Sequence, residues 1–142
     1  MSEQEIRQRV IQLIMDTTGS SRDELIHCHD IAGELGITGD DFFELMDAFA
    51  KEFNVDMAEF LWYFHTREEG TNLGSTFFPS PDQRVERIPI SLDNLVNMAQ
   101  SGKWSVDYPA HKLPKRRRDV QVNGFLLLVF LALAVGVVLQ QC

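Results

Sequence analysis

The segment IHCHD, residues 26–30, concentrates side chains that are capable of chemistry. Four consecutive residues could each bind a metal ion: His27, Cys28, His29 and Asp30. Zinc sites usually draw paired ligands from two separate segments, however, and the remaining histidines, His65 and His111, are isolated in the sequence. We therefore predict a solvent-exposed loop here, without a bound metal.

Cys28 is the candidate nucleophile of this segment. Nucleophilic catalysis needs a base within hydrogen-bonding reach and a group that orients the base, whereas neighbouring residues in an extended chain point apart. The sequence also has no G-x-S-x-G, G-x-x-x-x-G-K or H-E-x-x-H motif. We predict that the protein is not an enzyme and binds no cofactor. A distant alternative is an enzyme that uses the 27–29 loop.

Charge divides the chain into two parts. Residues 1–110 contain 8 Lys and Arg against 20 Asp and Glu, which leaves a net charge of −12. Residues 111–142 contain 5 Lys and Arg and a single acid, Asp119, which leaves +4. The acidic N-terminal part of the chain is a poor partner for nucleic acid, because phosphates need basic neighbours. It suits a basic protein surface better. We expect a basic protein partner and no nucleic acid.

The C-terminal end of the chain has the composition of a membrane anchor. Residues 120–142 carry no charged side chain, and the stretch 124–139 is an uninterrupted apolar run of 16 residues. As a helix, the uncharged segment reaches about 34 Å at about 1.5 Å per residue, enough to cross roughly 30 Å of hydrocarbon. It lacks the polar face that a soluble core helix normally shows. The sequence predicts a transmembrane helix over 120–142, in contact with membrane lipids.

A cluster of five basic residues immediately precedes this helix: Lys112, Lys115, Arg116, Arg117 and Arg118. Basic residues beside a span stay on the cytoplasmic side and attract anionic lipid head groups. The N-terminal stretch MSEQEIRQRV lacks the apolar centre of a signal peptide. We expect a single-pass, tail-anchored protein of the inner membrane, with a cytoplasmic head over 1–103 and a basic juxtamembrane linker over 104–119.

Helical spacing predicts an all-α head, a small bundle of about four helices. The first helix opens on a capping box of Ser2 and Glu5 and stops at Gly19, before a long polar connection. A short third helix over 58–65 and a last helix over about 91–101 complete the bundle. The segment 66–87 between them has no period and is predicted to be a loop.

The second helix, which begins after Thr38, has the clearest amphipathic pattern. Thr38 and Asp41 form a capping signature, and the apolar residues that follow fall within an arc of about 160°. Four residues on the opposite face, spaced 4, 3 and 4 apart, are candidate partner-binding positions: Asp40, Glu44, Asp47 and Lys51. The alternative is a solvated face that only keeps the domain soluble.

The segment DIAGELGITGDDFFELMDAFAKEFNVDM, residues 30–57, resembles part of the acyl carrier proteins. Residues 34–36 match the E-L-G that opens the carrier pattern, 41–45 match its D-x-x-E-L, and 52–55 match its closing E-F-x-V. More narrowly, the GDD turn, the FNVDM exit and the closing ISLDNLVNMAQSGKW are similar to a bacterial family of acyl-carrier-like domains of unknown function. The resemblance implies an acyl-carrier-like helical fold.

The attachment residue of a carrier protein is missing from this match. The D-S-L of carriers, whose serine holds phosphopantetheine, falls on Thr38, Gly39 and Asp40. Gly39 has no hydroxyl, so the phosphodiester cannot form there, and Thr38 lies one position earlier, where it is expected to serve as an N-cap. The resemblance therefore implies a carrier scaffold without its prosthetic group.

These observations together predict a non-catalytic, membrane-tethered module that presents an acidic helix to a basic protein partner. The alternative is an unorthodox acyl carrier that is modified at a different residue or that binds acyl chains non-covalently.

Overall fold

The computed structural model describes residues 1–141, and over this range the protein is all-α, as predicted. The α-helices are α1 (Glu3–Thr18), α2 (Arg22–His27), α3 (Ile31–Glu34), α4 (Gly39–Phe53), α5 (Leu92–Ser101) and α6 (Arg118–Gln141). Three short 3-10 helices lie between α4 and α5: Trp62–Phe64, Leu73–Thr76 and Pro81–Gln83. Cys142, the last residue of the predicted anchor, lies outside the described residues.

The core of the head forms where α1 packs against both α4 and α5. Val10 and Ile14 of α1, Leu45 of α4 and Leu95 of α5 are completely buried, and each such side chain contributes about 1.5–3 kcal/mol by leaving water. The predicted capping box of α1 is confirmed, because the Ser2 side chain accepts from the Glu5 N–H while the Glu5 carboxylate accepts from the Ser2 N–H. Local caps and apolar periodicity therefore determine this part of the fold.

Helix α4 has the amphipathic character that the sequence predicts. Of the seven apolar residues in the predicted arc, Phe43 and Ala50 are half-buried and the other five are buried: Phe42, Leu45, Met46, Phe49 and Phe53. The helix ends at Asn54, which adopts a left-handed conformation with φ of 49°. A short parallel bridge between Asp56 and Lys103 then ties the exit of α4 to the exit of α5. The inner face of α4 is thus packed against the bundle, and its outer face is turned toward solvent.

The long polar connection predicted after Gly19 contains two short helices, α2 and α3, so its assignment as a plain connection is wrong. Helix α2 begins with a second capping box, in which Ser21 and Glu24 exchange hydrogen bonds. Its Leu25 is fully buried. The Ser21-x-x-Glu24 pattern was present in the sequence and could have located α2.

The third helix predicted over 58–65 is also wrong, since only Trp62–Phe64 forms a single 3-10 turn. The segment is rich in aromatic side chains, which lose rotamer freedom in a helix. Here they pack in different directions: Phe60 contacts the Trp104 ring at a centroid distance of 4.7 Å, and Trp62 contacts Phe43 at 5.8 Å. Tertiary aromatic contacts therefore override the helical spacing.

Helix α6 is long and apolar enough to cross a membrane, and its most apolar stretch is not buried against the rest of the protein. Its side chains from Phe125 to Leu139 are largely exposed, whereas the core helix of a soluble domain is mostly buried. The helix begins at Arg118, two residues before the predicted start. Its first turn therefore includes two charged residues, Arg118 and Asp119, which belong to the joint with the head.

Candidate functional site

The outer face of α4 is an exposed acidic surface. Asp40, Glu44, Asp47 and Lys51 are all exposed. Within residues 1–141, no lysine or arginine nitrogen lies within 4.0 Å of the Glu44 or Asp47 carboxylates. Asp40 lies in the first turn, where a carboxylate stabilises the helix by opposing its dipole. Glu44 and Asp47 lie beyond that turn, so the helix dipole gives them no comparable structural role.

Glu52, on the same helix, provides a contrast. Its carboxylate accepts from the Arg9 guanidinium of α1, and the Arg9 guanidinium also lies over the Phe53 ring at 5.5 Å. This acid therefore helps to fasten α1 to α4. Among the acids of α4, Glu52 therefore has a structural role, whereas the acids of the outer face are unpaired and face solvent.

Gly39, the position that the resemblance assigns to the carrier serine, is buried beneath Glu69. The Gly39 N–H donates to the Thr66 hydroxyl oxygen at 3.3 Å, and the Glu69 side chain lies over the glycine Cα. A Cβ atom built on Gly39 would overlap the Glu69 Cγ and Cδ atoms. The backbone φ of 52° is also in the left-handed region, which disfavours any residue with a side chain. A serine at this position would be both strained and covered.

Thr38 occupies the N-cap position of α4, but its side chain makes no cap hydrogen bond, so that part of the prediction is wrong. Its hydroxyl donates instead to Glu69 Oε1 at 2.8 Å. A hydrogen bond to the charged Glu69 carboxylate is stronger than the N-cap bond that Thr38 could otherwise make to a neutral backbone N–H. The 66–69 segment thus closes over the start of α4 through both Thr38 and Gly39.

The IHCHD segment is not the fully exposed loop that the sequence predicts. His27 and His29 are exposed, but Cys28 and Asp30 are buried. Asp30 caps α3 by accepting from the Gly33 N–H at 3.1 Å, and it forms an ion pair with Arg87. Burial alone would raise the pKa of Asp30, but its bonds to Arg87 and Gly33 lower it. This acid is therefore a structural ion-pair partner.

Cys28 is poorly suited to nucleophilic chemistry in this setting. Burial raises the pKa of its thiol, and the nearby carboxylates of Glu34 and Asp30 act in the same direction. The reactive form of cysteine is the thiolate, which a raised pKa disfavours. Among residues 1–141, there is no group of three or more His, Cys, Asp or Glu side chains that could hold a metal ion.

A buried hydrogen-bond network around His65 was not found from the sequence. The His65 ring pairs through Nδ1 with the Ile88 carbonyl oxygen at 2.9 Å and through Nε2 with the Tyr108 hydroxyl at 2.8 Å. A carbonyl oxygen only accepts, so Nδ1 carries the proton and Nε2 accepts from Tyr108. The Tyr108 oxygen in turn accepts from the Leu61 N–H and the Trp104 indole N–H. Burial lowers the pKa of His65 to about 4, so the network holds a neutral histidine.

The basic cluster before α6 does not act as a uniform group. Lys112, Lys115, Arg116 and Arg118 are exposed. Arg117 is half-buried and donates to both Glu68 carboxylate oxygens, at 2.7 and 2.8 Å, and to Asp119. Its hydrogen bonds to Asp119 and then to Glu68 raise the pKa of Arg117. Arg117 is therefore a bridge between the head and α6.

The Leu73–Thr76 helix is docked on the first turns of α6. The Gly74 N–H donates to Asn123 Oδ1 at 2.7 Å, and Asn123 Nδ2 donates to Asn72 Oδ1 at 2.8 Å. Asn72 Nδ2 also donates to Asp119 Oδ2 at 2.9 Å. A Cβ atom on Gly74 would collide with the Asp119 carbonyl oxygen, so the glycine permits this close approach. The segment 66–87 joins the head to the start of α6.

These features define a small all-helical domain that is joined, through a built polar contact, to a helix able to cross a membrane. The family described as "Protein of unknown function (DUF1493)" matches residues 3–107, and the chain belongs to that family. The match covers the head and ends before the basic cluster. No curated protein matches the chain, and no solved structure does.

Proposed function

We propose that this protein is a membrane-anchored, non-catalytic module with an acyl-carrier-like head, which works without phosphopantetheine and presents the outer face of α4 to a basic protein partner. The observation that carries the proposal is the pair Glu44 and Asp47, which are exposed in the body of α4 and lack a cation partner within the described residues.

The charge of the head favours encounter with such a partner. The −12 carried by residues 1–110 attracts basic surfaces over distances of about a Debye length, roughly 8 Å at physiological salt. Exposed charges at the edge of an interface mainly raise the association rate and select the partner by complementarity. The unpaired acids of α4 fit this role, whereas Glu52 is already engaged by Arg9.

The covered Gly39 supports a function without a covalent cargo. A carrier must offer its serine to the enzyme that attaches phosphopantetheine, while Gly39 lies under Glu69 and beside Thr66. The alternative function is an acyl carrier that is modified elsewhere or that binds its acyl chain non-covalently. A covalent mass increase, or a lipid that co-purifies with the head, would favour that alternative.

The proposed orientation places the head on the cytoplasmic side of the inner membrane, with α6 as a tail anchor. The basic residues all precede the apolar run, and positive charge beside a span favours the cytoplasmic side. Arg117 is held by Glu68 and Asp119, so the orienting charge comes mainly from its four exposed neighbours. In this arrangement the acidic face of α4 recruits its partner to the membrane surface.

Charge reversal on α4 tests the proposal. The full chain is expressed in its own host with Glu44→Lys and Asp47→Lys, and associated proteins are recovered from detergent-solubilised membranes at low and at high salt. Partners of the unaltered chain should be rich in basic surface, should dissociate as salt increases, and should be absent from the double variant.

The matched control is Glu59→Lys with Glu86→Lys, which makes the same change in net charge at two exposed acids outside α4. This control should retain the partner. Equal capture by the α4 variant and the unaltered chain would contradict the proposed docking face. Equal loss in both variants would assign the effect to overall charge and would also contradict it.

A further inference from the structure

A cavity of about 580 Å³ lies beside the first turn of α6, between the segment 78–84 and the end of the basic linker. One part of its wall is apolar and includes Phe78, Pro81 and Leu113. The other part is formed by basic side chains, together with Asp119, which is paired with Arg117; the basic residues are Arg84, Lys115, Arg116, Arg117 and Arg118. The cavity therefore combines an apolar surface with a cluster of positive charges.

Most of this positive charge is not neutralised by the protein. Arg117 is paired with Glu68 and Asp119. The other four cations of the wall have no carboxylate oxygen within 4.0 Å among residues 1–141. Cations that converge on one space repel each other, and an anion bound between them relieves that repulsion. The cavity is thus electrostatically suited to an anionic ligand.

Two of these cations are held in place by contacts with the apolar wall. Arg84 Nε donates to the Pro79 carbonyl oxygen at 2.7 Å, which fixes the start of the guanidinium group. The Arg118 guanidinium carbon lies 5.8 Å from the centre of the Phe78 ring, within the range of a cation–π contact. Both contacts leave guanidinium N–H groups for a ligand, because each arginine carries five such donors.

The joint with α6 fixes the level of this cavity relative to a bilayer. Asn123, which accepts from the Gly74 N–H, directly precedes the apolar run over 124–139. The Leu73–Thr76 helix therefore lies level with the start of the membrane-spanning run. Leu73, the first residue of this helix, and Phe77, directly after it, are 58% and 71% exposed. Exposed apolar side chains at this level can enter the bilayer interface. With α6 across a bilayer, as proposed above, the basic wall lies near the depth of the lipid phosphates.

We propose that this cavity is a binding site for the phosphate of an anionic phospholipid, whose glycerol and upper acyl chain contact Phe78 and Leu113. The site rests on the proposed membrane anchor. It is more specific than general attraction of a basic linker to lipid, because Arg84, which comes from the head, lines the same cavity as Arg116 and Arg118. Free phosphate has the same anionic chemistry but would not use the apolar wall or the position beside α6.

The test uses the full chain in neutral detergent micelles, examined by native mass spectrometry with three probes: phosphatidylglycerol, phosphatidylcholine and inorganic phosphate. Phosphatidylglycerol should be retained at least tenfold better than either other probe. The double variant Arg84→Gln with Arg116→Gln should bind it about 25-fold more weakly, since each basic group near a lipid surface contributes about a fivefold factor. Lysine at both positions should restore part of the binding.

The control variant, Arg67→Gln with Lys103→Gln, makes the same charge change at two exposed residues outside both the cavity and the basic cluster and should bind normally. Equal weakening of both variants would overturn the site in favour of unspecific charge attraction. Tighter retention of inorganic phosphate would overturn it in favour of a soluble anion. Alkaline extraction of vesicles separates the two proposals: release of the chain contradicts the anchor itself, whereas firm anchoring without lipid preference contradicts only this site.

Discussion

The side chain of Glu69 lies directly over the Cα of Gly39, although thirty positions separate the two residues in the sequence. Glu69 is held there by the Thr38 hydroxyl, and the adjoining Thr66 accepts the Gly39 N–H. The turn that the resemblance equates with the attachment site of a carrier is thus closed by the 66–69 segment. Glycine at this position fits both the positive φ and the contact with Glu69.

Substitution of Gly39 should therefore cost more than its backbone conformation alone requires. Gly36 has a similar left-handed φ of 68°, but a Cβ atom added there would meet no neighbouring atom within 4 Å, so Gly36→Ala isolates the backbone cost of about 1–2 kcal/mol. Gly39→Ala should add roughly 1 kcal/mol, because Glu69 must swing away and lose its bond to Thr38. Chemical unfolding of the full chain in micelles measures the difference.

Removal of the Glu69 side chain provides the control for this prediction. In a Glu69→Ala background, Gly39→Ala and Gly36→Ala should lower the free energy of unfolding by similar amounts, since the three atoms nearest to a Cβ on Gly39 all belong to the Glu69 side chain that this variant removes. If the extra cost of Gly39→Ala persists there, Glu69 is not the group that restricts this position.

Loss of the Asn123 side chain should loosen the joint between head and anchor. Asn123→Leu keeps the span apolar but removes the bonds to Gly74 and Asn72, a loss of about 2 kcal/mol for two hydrogen bonds. Tryptic cleavage after Arg67 and Arg84, on either side of the docked segment, should become faster. Membrane retention should not change.

Gln121→Leu is the matched control for the joint, since Gln121 is an exposed neighbour on the same helix. Its cleavage rate should equal that of the unaltered chain. Equal rates for all three proteins would mean that the Asn123 bonds do not hold the segment.

The buried His65 should make the head less stable in mild acid. Burial lowers the pKa of the folded histidine to about 4, below the unfolded value of 6.5, so from pH 6.5 downward the unfolded chain binds a proton that the folded chain excludes. Stability is fully present above pH 6.5 and falls as the pH is lowered. Between pH 7 and 4.5 the loss should be about 2–3 kcal/mol, measured by urea unfolding with tryptophan fluorescence.

Two glutamine variants separate His65 from other acid effects. His65→Gln should be less stable at pH 7, because it disturbs the contacts to Ile88 and Tyr108, but should lose much less stability on acidification. His29→Gln, at an exposed histidine, should keep the full pH dependence. A similar pH profile for His65→Gln and the unaltered chain would show that another group causes the loss.

The parts of the fold that the sequence predicted are those that local signals determine. The capping box at Ser2, the amphipathic face of α4, the last helix over about 91–101 and the apolar run of α6 all depend on signals within a few residues, and all appear in the structure. The capping box at Ser21 is an equally local signal, and it marks the start of α2.

The features that the sequence did not reveal depend on partners far apart in the chain. Asp30 is buried because Arg87 pairs with it, and Gly39 is covered because Glu69 reaches it. Neither contact leaves a periodic or spaced pattern in either segment. The same is true of the joint between Gly74 and Asn123, which turns the aperiodic 66–87 segment into a connection with α6.

The central claim, that the acyl-carrier-like head works without a prosthetic group, is tested most directly by the intact mass of the full chain purified from the membranes of its own host. We predict a mass equal to that of the unmodified polypeptide, with no phosphopantetheine or acyl group. An added mass of either kind, mapped to a residue of the head, would contradict the claim and would identify the residue that replaces the missing serine.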